Sequence, residues 1–181
     1  MRKNRPVIIG IIIAIILVVV WLIVGRDDEE QIANEINNHG FVTNIQHIEV
    51  LDANKSVAFF NVDDNTEMEM YLEKSLFSWN NKRDNSFNRL RINEPMFISF
   101  SNSPFSNEEE VSMVLLRIFD HEINSVQIVK YEEIIHNFEL ITKGPDEKFG
   151  LFRTESDEIY EAEFVAYNSE GEVVYSNTSA Q

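Results

Sequence analysis

No cysteine occurs among the 181 residues of the chain. Disulfide bonds, thiolate metal sites, a cysteine nucleophile and a lipid-modified cysteine anchor are therefore excluded together. An exported domain of this composition folds on its apolar core alone, as is usual above about 80 residues. Glycine is scarce too, with six residues, and none builds a Gly-rich loop that could cradle phosphate. Neither G-x-S-x-G nor S-x-x-K is present, so no activated serine is signalled. Positive charge is the remaining shortage. Fifteen Lys and Arg stand against 31 Asp and Glu, for a formal charge of −16. Arg2, Lys3 and Arg5 contribute +3 of this, which leaves −19 on residues 26–181. A domain this acidic repels nucleic acid and anionic lipid, and no nucleic-acid partner is expected.

What the chain does have is one long apolar run. Val7 to Val24 carries no charge. About 20 apolar residues at roughly 1.5 Å each cross a hydrocarbon core of about 30 Å, so residues 7–25 are expected to form a transmembrane helix. Trp21 lies near its outer end, where an indole suits the interface. Gly10 and Ala14 have the spacing that lets helices approach closely, a spacing common by chance in apolar helices. Arg2, Lys3 and Arg5 precede the span, whereas Arg26 is followed by Asp27, Asp28, Glu29 and Glu30. The positive-inside bias then puts residues 1–6 in the cytoplasm and the remainder outside, in a single-pass arrangement. The run ends in Trp-Leu-Ile-Val rather than in small residues, which favours a retained signal-anchor over a cleaved signal peptide. The lipid bilayer is thus the first partner, through the anchor helix.

Residues 26–40 are expected to form a linker helix. Acidic residues fill its first turn, Ile32 and Ile36 share a face, and Gly40 suits the position after its end. From 41 to 181 the pattern becomes β-rich. Met68, Met70 and Leu72 alternate with Glu67, Glu69 and Glu73, which predicts a strand with one wet face. Ser56 to Val62 is apolar on both faces and predicts a central strand. Further runs are Met96/Ile98/Phe100, Val126/Ile128, Ile134 to Ile141, Phe149 to Phe152, Tyr160 to Ala166 and Val173 to Tyr175. Turn signals separate them at 52–55, 63–65, 143–146 and 168–171. The fold class predicted is mainly β, an antiparallel meander forming a sandwich or curved sheet. Ser106 to Phe119 fits both a helix opened by a capping box and an alternating strand; the strand is preferred. A weak echo between residues 45–79 and 126–160 repeats strand and turn without close similarity.

The segment Ile118-Phe-Asp120-His-Glu-Ile123-Asn-Ser-Val126-Gln-Ile128 and the closing hairpin Phe164 to Tyr175 resemble short membrane- or lipid-anchored exported proteins of Bacillus-like Gram-positive bacteria. The resemblance implies a bacterial envelope location and a β-rich fold, and no activity. The chain departs from the lipid-anchored members in lacking a cysteine.

Candidate sites dissolve one by one. His39, His47, His121 and His136 form no close pair of the kind that metal sites use. Asp120, His121 and Glu122 are adjacent, but neighbours on a strand point to opposite faces. Asp52, Asn54 and Ser56 begin like a calcium loop with Asp63 at position twelve, yet Val57 stands where the loop needs glycine. Asp63, Asp64, Asn65 and Glu67 form another oxygen-rich turn, in which Asp and Asn serve their own hydrogen bonding. Asn54 and Asn177 head glycosylation triplets that matter only in a eukaryotic host. Phe59, Phe60, Phe77, Trp79 and Phe87 are expected to fill a sheet core. No catalytic, cofactor-binding or metal-binding residue is assigned, and no cofactor. The function expected is a non-enzymatic, membrane-tethered binding or interaction module at the cell envelope, engaging an envelope or membrane protein. The alternatives are an envelope-acting hydrolase, or a structural partner of membrane proteins through the anchor helix.

Overall fold

Period-two alternation organises residues 44–178 into strands, and every ladder between them is antiparallel. The structure, a computed structural model, describes residues 13, 15, 27–40, 42–76, 78–89, 93–106, 111–142, 148–154 and 159–178. The expected membrane span lies outside the described residues except for Ile13 and Ile15, both helical. Among the described residues no helix is long and apolar enough to cross a membrane.

Helix α1 (Asp28–Asn38) comes first. Asp28, Glu29 and Glu30 occupy its first turn, where the helix dipole favours negative charge. Gly40 follows with φ +154°, a conformation in which a side chain would be strained. Ile32 and Ile36, one turn apart, are both fully buried. Sheet A then runs as a meander through β1 (Asn44–Asp52), β2 (Lys55–Asn61), β3 (Thr66–Lys74) and β4 (Trp79–Asn88). The sequence resolves β2 and β3, and marks β1 only by the turn signal at 52–55 that ends it. It gives no alternation for β4, whose middle reads Asn-Asn-Lys-Arg-Asp-Asn-Ser.

The remaining strands do not continue one meander. They form hairpins placed alternately in two further sheets. Sheet B has the order β5-β6-β10-β9, from β5 (Met96–Asn102), β6 (Ser112–Ile118), β9 (Ile141–Thr142) and β10 (Lys148–Thr154). Sheet C has the order β12-β11-β7-β8, from β7 (Ser125–Lys130), β8 (Glu133–Asn137), β11 (Glu163–Tyr167) and β12 (Val173–Thr178). The apolar stretch from Ile134 to Ile141 is therefore two strands in different sheets. Residues 45–79 belong to sheet A, whereas 126–160 are divided between sheets C and B, so the echo is not a structural repeat.

Three apolar clusters show how the layers stack. Ile32 and Ile36 of α1 pack on Ala58, Phe60, Met70, Leu72 and Trp79 of sheet A. The opposite face of sheet A offers Val57, Phe59 and Tyr71 to Met113, Leu115 and Phe149 of sheet B. The far side of sheet B offers Val114, Leu116 and Ile118 to Val126, Ile128 and Phe164 of sheet C. The order is helix, sheet A, sheet B, sheet C. Strand β6 lies in the middle with all seven residues buried, which is why its sequence carries no polar face and also fits a helical stripe. A Cβ on Gly150 of β10 would come within 2.9 Å of Phe138, so glycine there permits the close approach of sheets B and C.

This stacking corrects the reading of β3. The Glu67 and Glu69 face is not wet: these residues are 3% and 1% exposed. Sheet B covers them, and its Arg117 supplies the opposing charge. Likewise α1 is more than a spacer, because its two isoleucines belong to the core of sheet A.

Candidate functional site

Among the described residues, α1 covers only part of the helix-side face of sheet A. An eleven-residue helix is about 16 Å long, whereas a nine-residue strand such as β3 extends about 30 Å. Beyond the last turn of α1 the apolar face continues and lines a half-open cavity of about 280 Å³. Its floor is Phe60, Met68 and Met70; Phe60 and Met68 are cross-strand partners in the β2–β3 ladder. Ile36, Val42 and Val62 wall it, and His39, Gly40 and Asp84 stand at the mouth.

The mouth is built by a β-bulge. Tyr71 and Leu72 pair with Arg83 and Asn81, so Lys82 is the extra residue. The insertion puts Asn81 and Asp84, three apart in sequence, on the same face as Leu72 and Met70. Asn81 Nδ2 donates to Asp84 Oδ2 at 2.7 Å and lies 2.5 Å from His39 Nε2. Asp84 fixes the orientation of this amide, since a rotated amide would set its oxygen against the carboxylate. Asn81 Oδ1 is buried with no hydrogen-bond partner among the described residues. The cavity is thus apolar inside, with the Asp84 carboxylate and the His39 imidazole at its mouth and Asn81 holding the two together from behind. Such a shape suits a small apolar group that carries a polar end.

The other face of sheet A has the opposite character. Arg117 Nε donates to Glu67 Oε2 at 2.8 Å, and Arg117 Nη2 contacts the same oxygen. Gln46 Oε1 accepts from Arg117 Nη2 at 3.0 Å, and the guanidinium lies 4.0 Å from the ring centroid of Phe149. Glu69 accepts from Asn85 at 2.5 Å and from Ser99 at 2.9 Å. Burial raises the Glu69 carboxyl above the ordinary glutamate range, and these hydrogen bonds oppose the rise. Burial, assisted by the charge of Glu69, raises the Tyr71 phenol. Every group here is packed between two sheets. The network ties sheet A to sheet B.

The four histidines lie in separate places. His39 is at the cavity mouth. His47 is buried beside Phe59 and Phe149, with Nε2 2.9 Å from Glu49. His121 is exposed in a turn. His136 stacks on Phe152 with centroids 3.9 Å apart, and burial lowers its pKa. Among the described residues no group of three or more His, Asp or Glu is arranged to hold a metal ion. The acidic turns use their oxygens internally. Asp52 Oδ1 accepts from Asn54 N at 2.9 Å, and Asp63 Oδ1 accepts from Asn65 N at 2.8 Å and Thr66 N at 2.7 Å. The backbone N–H of Asn65 is the main reason that Asp63 titrates below its usual range. Phe59, Phe60 and Trp79 are buried in the sheet A layers, and Phe87 stacks on Phe97 at 4.8 Å; Phe77 lies outside the described residues.

Sequence reasoning missed Asn81 and Asp84. The available signal was indirect: a polar stretch framed by Trp79 and Phe87, which fits an edge strand with charges along it. Compared with protein families, with curated proteins and with solved structures, the chain matches none.

Proposed function

We propose that the chain is a single-pass, membrane-tethered binding module, with residues 1–6 cytoplasmic, 7–25 in the bilayer and the β-rich domain on the extracytoplasmic side of a bacterial envelope. It is not an enzyme; it captures a small apolar group in the cavity beyond α1. The cavity carries this reading. Its volume of about 280 Å³ is nearly twice the roughly 150 Å³ of an apolar cavity that accepts benzene. The apolar run and the charge asymmetry at its ends support the tether and its orientation. A tether raises the local concentration of a weak binder near its ligand or partner in the envelope. Protease added to cells stripped of their wall then digests residues 40–181 while the membrane is intact.

The methionines test the cavity without any added label. Met68 and Met70 line it, Met113 lies between sheets A and B, and Met96 lies between sheets B and C. In methyl-labelled full chain held in nanodiscs, benzene is expected to shift the Met68 and Met70 methyl resonances saturably and to leave Met96 and Met113 in place. Unmoved Met68 and Met70 methyls, or equal shifts at all four, would end this reading.

A further inference from the structure

We infer that the cavity selects a cationic amphiphile, a small amine with an aliphatic or aromatic tail. The inference rests on the cavity being a binding site and adds the chemistry of the head group. The walls and floor are apolar, so the tail is recognised by burial alone. Discrimination falls to the mouth. There the Asp84 carboxylate accepts one hydrogen bond, from Asn81. No lysine or arginine among the described residues pairs with it. Its cationic neighbours on β4 are committed elsewhere: Lys82 lies 3.5 Å from Glu73, and Arg83 donates to the Asn102 carbonyl at 3.0 Å. An ammonium carries three donors and no acceptor, which matches a mouth whose carboxylate keeps spare lone pairs and has no paired cation among the described residues. A carboxylate head would meet Asp84 with like charge. A hydroxyl head could hydrogen-bond there but leaves the charge uncompensated. The excess of negative charge on residues 26–181 acts in the same direction at longer range.

Three probes of one chain length separate these cases: octylammonium, octanol and octanoate. Each is titrated into the methyl-labelled full chain in zwitterionic nanodiscs, with partition into empty nanodiscs measured and subtracted. The expected result is saturable shifts at Met68 and Met70, with octylammonium at least tenfold tighter than octanoate and octanol between them. Asp84 is exposed and outside the core, so its variants bear on the head group at little cost to packing. Asp84→Asn is expected to weaken octylammonium at least fivefold and more than it weakens octanol, and Asp84→Lys to invert the order of amine and acid. Equal affinities for the three probes, or an Asp84→Asn chain that binds octylammonium as before, would overturn the inference while leaving the cavity a binding site. Loss of every response, benzene included, would overturn both.

Discussion

Met68 and Glu69 are chain neighbours on β3 and point to opposite faces of sheet A. On the Met68 side an apolar surface meets a short helix and then an open cavity. On the Glu69 side two glutamates, a tyrosine and an arginine are sealed between two sheets. An antiparallel sheet often keeps its charged face in water, whereas here both faces are covered, the apolar one largely by α1. Two circumstances make this arrangement tolerable. Arg117 and its hydrogen bonds neutralise the buried charge, and the cavity is small, walled by Ile36, Val42 and Val62. The charged face ties sheet A to sheet B, and the apolar face carries the cavity proposed as the binding site.

The largest effect is expected from breaking the charged face. Arg117→Met removes the counter-charge from Glu67 and should destabilise the domain by about 3–5 kcal/mol in urea denaturation. Arg89, 3.7 Å from Glu67, retains some compensation and places the loss toward the lower end. Adding Glu67→Leu to Arg117→Met should restore most of the stability, since apolar residues can replace a buried ion pair. A double variant as unstable as the single one would mean that the polar network is needed for more than charge balance.

A smaller effect concerns Glu69. Its carboxyl is raised by burial, so the folded state holds the proton more tightly than the unfolded chain does. The stability linked to Glu69 is therefore fully present below the unfolded value, near 4.3, and is lost as pH rises toward the folded value. Glu69→Gln keeps an acceptor for Asn85 and Ser99 without the charge. Its unfolding midpoint should exceed that of the parent at pH 7, and the gap should narrow as pH falls through the raised folded value toward about 4.3. A gap that does not change with pH would contradict the burial of this carboxyl.

The smallest change is expected on the apolar face. Met68→Phe fills part of the cavity and should stabilise the domain by about 0.5–1 kcal/mol, while abolishing the response of Met70 to benzene. Destabilisation would show that the floor is already close-packed.

Most of the strands were legible from their patterns: β3, β5, β7 and β11 alternate, and β2 and β6 are apolar on both faces apart from their ends and Arg117. The helix at Asp28–Asn38 was legible from its acidic first turn and paired isoleucines. Alternation tells which residues share a face, but it cannot tell what lies against that face. Glu67 and Glu69 were read as wet because their burial depends on Arg117, 50 residues away in sequence beyond Glu67. The cavity was illegible for a related reason. Asn81 and Asp84 face the same way only because of the bulge at Lys82, and a polar strand with a bulge leaves no periodic trace. The chain crosses between sheets B and C at residues 119–124 and 138–140, among others; the second crossing reads Phe138-Glu139-Leu140 with no turn residue, so it is indistinguishable from a continuing strand.

Because the chain has no native cysteine, neighbouring positions on β3 can be compared directly by thiol labelling. Met68→Cys and Glu69→Cys, each treated in the native state with a small methanethiosulfonate reagent, report the two faces of one strand. The thiol at position 68 should react readily, and the thiol at 69 should react only when the domain is unfolded with denaturant. Rapid reaction at 69 with protection at 68 would mean that the charged face is wet and the apolar face closed, and the cavity could not be a binding site.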